Sequence, residues 1–261
     1  MRRALGWLVA TIYVMLGARR RVVRRLQAGD KLPVVIHNLP AAQLERLLAW
    51  LQTQGVLDKL WLTFDDAWTT IKASVPVLEK YKVKAKVFVA PGETLRGNVW
   101  TDVAIKAKVP AKVWRGWYTL GEPERYKELA RWTAGKRIDR SLLDEEGVRL
   151  LAKHPLITIE NHTWSHLSAS HRPIEEVVDE IKRAQATLAE WTGRSPKWLA
   201  WPFGRGTSEL DKQMAELGLK TVYTKQGYTI GPCRNMAIEN VTLAENLGRI
   251  LGAWPRVGAT K

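Results

Sequence analysis

Residues 62–68 read LTFDDAW, an apolar run that ends abruptly in two adjacent carboxylates. With Leu60 and Trp61 ahead of it, the run has the length and composition of a strand buried on both faces. Asp65 and Asp66 then stand at the strand's end, where side-by-side carboxylates repel each other and cost desolvation unless something compensates them. In structural terms, one Asp capping the next helix and one solvated Asp would suffice. In chemical terms a nearby cation would do so, one carboxylate ligating it while the other stays ionised as a base.

Outward from this strand, helix and strand signals alternate. PVVIH (33–37) reads as a strand and is followed by LPAAQLERLLAWLQTQG, with Leu44, Leu47, Leu48 and Leu51 on one helical face and Gly55 as a stop. A helix over 69–81 and the strand AKVFVA (85–90) come next. Residues 91–140 break the rhythm with Trp100, Trp114, Trp117 and Trp132 among many charges, and read as a long insertion or lid. LLDEEGVRLLAKH is then helical, LITIE (156–160) a strand, 174–191 a helix, WLAW (198–201) a strand, 208–217 a helix and KTVYT (220–224) a strand. Such alternation predicts an α/β fold with mainly parallel strands, in an open sheet or a barrel. In both, chemistry sits at the carboxyl ends of the strands.

The 261-residue chain suits one large α/β domain or two small ones, and its 46% hydrophobic content supports a core. One cysteine, Cys233, excludes a disulfide framework and a cysteine-rich metal site. The formal charge of +15 points to an anionic partner. Thirteen tryptophans exceed what a core of this size needs, so some are expected to face a surface that stacks on sugar rings or bases. Seven arginines fall in the first 25 residues, on both sides of the apolar stretch Leu5–Gly17. That stretch is shorter than the about 20 residues a spanning helix needs, and LGARRRVVRR offers no small-x-small cleavage site. Residues 1–31 are therefore read as an amphipathic helix lying on an anionic membrane surface, with Trp7 and Tyr13 at headgroup level, ahead of a domain over 32–261. The alternative is a peripheral helix packed on the domain itself.

Four of the six expected strands are followed by candidate chemistry. His37 ends the first strand, Asp65 and Asp66 follow the second, His162 and His166 follow LITIE in NHTWSHLS, and Pro202-Phe203-Gly204 follows WLAW. One Asp with two His makes a facial triad for a divalent metal that leaves positions open for water and substrate. His-x-x-x-His arises by chance, as does a paired Asp; their joint placement at strand ends is far more specific.

These segments resemble the motifs of the NodB-type polysaccharide deacetylases, carbohydrate esterase family 4. TFDDAW is similar to their TFDDG, NHTWSHLS to their His-Ser/Thr-x-x-His, and LAWPFG to their aromatic Pro-Tyr/Phe-Gly turn. The likeness runs from about residue 33 to 225, and VVIHNL resembles the opening of a permuted subgroup that includes poly-N-acetylglucosamine deacetylases. The resemblance implies a distorted (β/α)7-type barrel. It also implies that Asp66, His162 and His166 hold a divalent metal, with zinc expected and cobalt or nickel admissible. Asp65 would be the general base, His37 the acid for the leaving amine, and the backbone N–H of Phe203 an oxyanion donor. Trp68, Trp100 and Trp201 are the expected sugar-binding aromatics. Ala67 stands where relatives carry Gly, Ala200 where many carry Arg, and Ile36 where the subgroup carries Tyr.

The expected activity is metal-dependent removal of N-acetyl or other N-acyl groups from amino sugars of an envelope glycan, such as lipopolysaccharide or a lipid-linked precursor. The basic surface suits such a substrate, and association with a bacterial inner membrane is expected, the cytoplasmic face favoured and the periplasmic face the alternative. A non-catalytic glycan- or anionic-lipid-binding protein on the same fold is the alternative. Nucleic acid is not an expected partner, because no RNP-like, helix-turn-helix or zinc-finger pattern accompanies the charge.

Overall fold

The computed structural model describes residues 18–134, 136, 138–224, 233–237 and 243–250. Trp7, Tyr13 and the apolar stretch Leu5–Gly17 lie outside the described residues. Seven strands follow one another in chain order in a closed barrel: β1 (Leu32–Ile36), β2 (Leu60–Asp65), β3 (Ala85–Val89), β4 (Ile157–Asn161), β5 (Trp198–Ala200), β6 (Lys220–Thr224) and β7 (Cys233–Ala237). The accompanying α-helices are α1 (Ala18–Gln27), α2 (Ala41–Thr53), α3 (Ile71–Tyr81), α4 (Pro91–Arg96), α5 (Trp100–Lys106) and α6 (Ala111–Gly116). They continue with α7 (Glu122–Thr133), α8 (Glu145–Ala152), α9 (Ile174–Thr192), α10 (Ser208–Glu216) and α11 (Leu243–Ile250). The registers of β1 with β2 and β7, and of β5 with β4 and β6, are all parallel, as helix-linked strands require. The expected α/β barrel is thus the observed fold. Among the described residues no helix is long and apolar enough to cross a membrane.

Two compact units divide the chain. Of the described residues, the first comprises 18–64, 70–85, 233–237 and 243–250. Here Leu44, Leu47, Leu48 and Leu51 form the buried stripe of α2, which packs on α3, at the spacing an amphipathic helix predicts. Val34, Val35 and Ile36 are buried in β1, and the buried hydroxyl of Thr63 donates to the Val34 carbonyl at 3.0 Å. Ile36 pairs with Phe64, so His37 and Asp65 are each the residue after that last pair.

The second unit comprises the described residues 65–69, 86–134, 136 and 138–224. Its longest helix, α9, buries Val177, Ile181, Ala184, Leu188 and Trp191, and ends at Gly193 with φ of 70°, a left-handed cap that glycine adopts without steric cost. Residues 91–140 form α4 to α7. Val99, Trp100, Ala104, Ala107, Val109, Trp117, Leu129 and Leu142 pack there as one apolar cluster.

Candidate metal centre

Three ligating side chains meet in the second unit. Asp66, His162 and His166 are all buried, and one ligand atom from each lies within 4.8 Å of the others. Asp66 Oδ1 stands 3.4 Å from His162 Nε2 and 3.2 Å from His166 Nε2, yet makes no hydrogen bond of ordinary geometry. Donors bonded at ~2.0–2.1 Å to one tetrahedral zinc would lie roughly 3.3–3.4 Å apart, so these separations suit a shared cation.

Local structure aims each donor. Asp66 and Ala67 take left-handed backbone, with φ of 70° and 56°, which turns the chain sharply off β2. The Trp68 indole N–H donates to Asp66 Oδ2 at 3.4 Å and leaves Oδ1 for the histidines. Nδ1 of His162 is 2.7 Å from the Ala200 carbonyl, so Nδ1 donates its proton there and Nε2 is the atom left to bind a cation beside Asp66. Thr163, His166 and Phe203 also have positive φ, at 63°, 49° and 59°. Five of the seven non-glycine residues with positive φ among those described therefore lie in these three segments, the pattern of strain held at a functional site.

The electrostatics agree. Burial pushes the Asp66 carboxyl up, but the imidazoles of His166 and His162 together hold it well below the usual carboxylate range. Burial likewise works to lower the pKa of His162, while Asp66, Asp65 and the Ala200 carbonyl raise it on balance. A negative field that favours an imidazolium favours a metal cation equally. The donor set of one carboxylate and two imidazoles is one that zinc accepts, so the residues present fit the group.

Asp65, the residue before Asp66, ends β2 and is buried. The Phe203 ring lies 4.6 Å from that of His166, centroid to centroid. His37 follows β1 in the first unit and is half-buried. Trp68 is half-buried against the cluster around Trp100.

Two expectations are corrected. Trp100 is fully buried, its indole N–H given to the His166 carbonyl at 3.1 Å, so it offers no face to a sugar. Trp201 is also fully buried; its indole donates to Asp211 Oδ1 at 2.9 Å, and Gly206 lies so close that a Cβ there would come within 2.5 Å of the ring. Both rings serve as packing and as hydrogen-bond donors.

Residues other than the candidate metal ligands hold the histidine loop. Asn161 donates to the Ile181 carbonyl at 3.1 Å and accepts from the Thr163 N–H at 2.8 Å. Arg125, buried on α7, donates to Ser165 Oγ and the Ser165 carbonyl at 2.6 and 2.9 Å and lies 5.1 Å over the Trp100 ring. Glu180 accepts from the Ser165 N–H and hydroxyl at 3.0 and 2.5 Å. Arg125 sits in a charged helix, where sequence periodicity does not mark one arginine as interior.

A family model described as polysaccharide deacetylase matches residues 55–222. Solved structures with the same fold include a Streptococcus pyogenes deacetylase, PplD, in complex with acetate, at 16% identity and a TM-score of 0.58 over 84% of this chain and 98% of that one. IcaB from Ammonifex degensii is 16% identical with a TM-score of 0.54 over 86% and 97%. The BpsB deacetylase domain from Bordetella bronchiseptica is 15% identical with a TM-score of 0.51 over 78% and 95%. A search of curated protein sequences finds no match.

Proposed function

The chain belongs to the polysaccharide deacetylase family, and on that premise we propose that it hydrolyses N-acetyl groups from amino sugars of a cell-envelope glycan with a divalent metal. The observation that carries this reading is the buried convergence of Asp66 Oδ1 with Nε2 of His162 and His166. Those three residues would hold the ion, zinc first among the candidates. When bound, a divalent cation supplies Lewis acidity toward an amide carbonyl and a nucleophilic water near neutral pH.

The chain's own groups do the rest. Asp65 takes the proton of the attacking water, whose oxygen adds to the amide carbon. The backbone N–H of Phe203 donates to the oxyanion. A proton reaches the departing nitrogen as the C–N bond breaks, leaving acetate and a free amine, the acid's role being the one the family resemblance gives His37. Ala200, through its carbonyl, keeps the His162 proton on Nδ1. The charge of +15 supports a phosphate-rich or lipid-borne glycan, such as lipopolysaccharide or its lipid-linked precursors, at an anionic inner-membrane surface.

The test combines metal content with acetate release from N-acetylated glycans. His162→Ala should lose metal and activity together. Asp65→Asn should keep the metal and lose about 10²–10⁴-fold in rate. Stoichiometric metal with no acetate from any glycan would remove the substrate assignment, and absence of stoichiometric metal would remove the enzyme assignment.

A further inference from the structure

One ring beyond the histidines, two arginines stand over adjoining aromatic rings. The Phe203 ring that faces His166 is 4.9 Å from the ring of Tyr118, which is half-buried. Over Tyr118, at 5.0 Å, lies the guanidinium of Arg205, the residue that follows the Pro202–Gly204 turn. Arg205 is 3.1 Å from His171 Nε2; burial and the neighbouring Arg205 both lower the pKa of that imidazole, so it stays neutral and accepts. Arg115, on α6, lies 5.6 Å over the ring of Trp114, which stands edge-on to Tyr118 at 6.0 Å.

Among the described residues neither Arg115 nor Arg205 forms an ion pair, whereas nearby Arg172 is committed to Glu176. A basic chain leaves many guanidinium groups simply solvated. These two differ in standing, from two separate elements, over two rings that touch each other. Burial raises the pKa of the Tyr118 hydroxyl, and the charges of Arg205 and Arg115 both lower it. An aromatic floor with two uncompensated guanidinium forks suits a sugar ring that carries an anion, since guanidinium pairs with phosphate and carboxylate through parallel hydrogen bonds.

Resting on the deacetylase reading, we propose that Trp114 and Tyr118, with Arg115 and Arg205, form a subsite for an anionic substituent on the glycan, a phosphate or a carboxylate, next to the sugar being deacetylated. The arginines fix which residue of the polymer presents its acetamido group, and a neutral polymer forgoes that contact.

Binding and turnover test this separately. The zinc-loaded full chain is titrated by tryptophan fluorescence with N-acetylglucosamine, its 6-phosphate, and its 6-carboxylate (uronic acid) analogue. The same titrations are run on Arg205→Gln and Arg115→Gln, whose side chains are exposed, with the urea midpoint of each variant measured alongside. The wild-type chain should prefer at least one anionic sugar by about tenfold at low salt, and each variant should lose most of that preference. The relative affinity of the phosphate and the carboxylate identifies the substituent. Equal or undetectable binding of all three sugars, or a preference that survives both substitutions, overturns the proposal. An arginine-dependent preference without acetate release from any sugar would keep the subsite and remove the deacetylase reading.

Discussion

Replacing Trp100 by phenylalanine should weaken folding and metal binding together, because this ring is part of the scaffold behind His166. The indole is fully buried, edge-on to Tyr118 and Phe203 at 5.9 and 6.0 Å, and its N–H holds the His166 carbonyl at 3.1 Å. Phenylalanine keeps a six-membered ring but loses the donor and about three heavy atoms. The residual cavity costs about 1 kcal/mol. Leaving a buried carbonyl without its donor costs about 1–3 kcal/mol more. The expected loss is therefore about 2–4 kcal/mol, read as a lower urea midpoint at unchanged m-value. His166 takes φ of 49° and is held there by this bond, so zinc affinity should fall by about tenfold or more. An unchanged midpoint and zinc affinity, with a raised KM for glycan, would refute the reasoning and return Trp100 to the role of a sugar platform.

Ala67 has φ of 56° and is fully buried, so Ala67→Gly should stay within about 1 kcal/mol of the parent while Ala67→Val destabilises by about 2–5 kcal/mol through backbone strain and overpacking; thermal unfolding of both variants decides this. Glu93 is buried, accepts from the Trp100 backbone N–H at 2.7 Å and from the Tyr126 hydroxyl, and burial pushes its carboxyl up to about 8 against Tyr126, Arg125 and Arg96. Because the folded pKa lies above the unfolded one, its contribution is fully present below about pH 4.5 and is lost as pH rises through about 8, by up to about 1.4 kcal/mol per unit. Urea titrations at several pH values should show that slope in the parent and a flatter one in Glu93→Gln. Zinc at about 100 times its Kd should add about 2.7 kcal/mol to stability, and His166→Ala should lose the increment in the same melting assay.

The chain's local patterns determined much of this molecule. The stripe Leu44, Leu47, Leu48 and Leu51, the run of α9 and the short apolar strands are periodic signals, and they specify α/β alternation because burial of one face depends only on residue spacing. From that alternation alone, Asp66, His162 and His166 could be placed at strand ends. No comparable run marks Cys233–Ala237, and its pairing with β1 is a long-range contact that local composition does not encode. Tertiary structure alone decided the tryptophans. An indole serves equally as core or as platform, and only the packing of Gly206 on Trp201 and of Tyr118 and Phe203 on Trp100 shows which rings are enclosed. It also decided what holds the metal ligands. Asp66 needs Trp68, His162 needs the Ala200 carbonyl, and the loop at Ser165 needs Arg125 and Glu180. Most of these partners are distant in sequence and chemically ordinary, so only folding could give them their role.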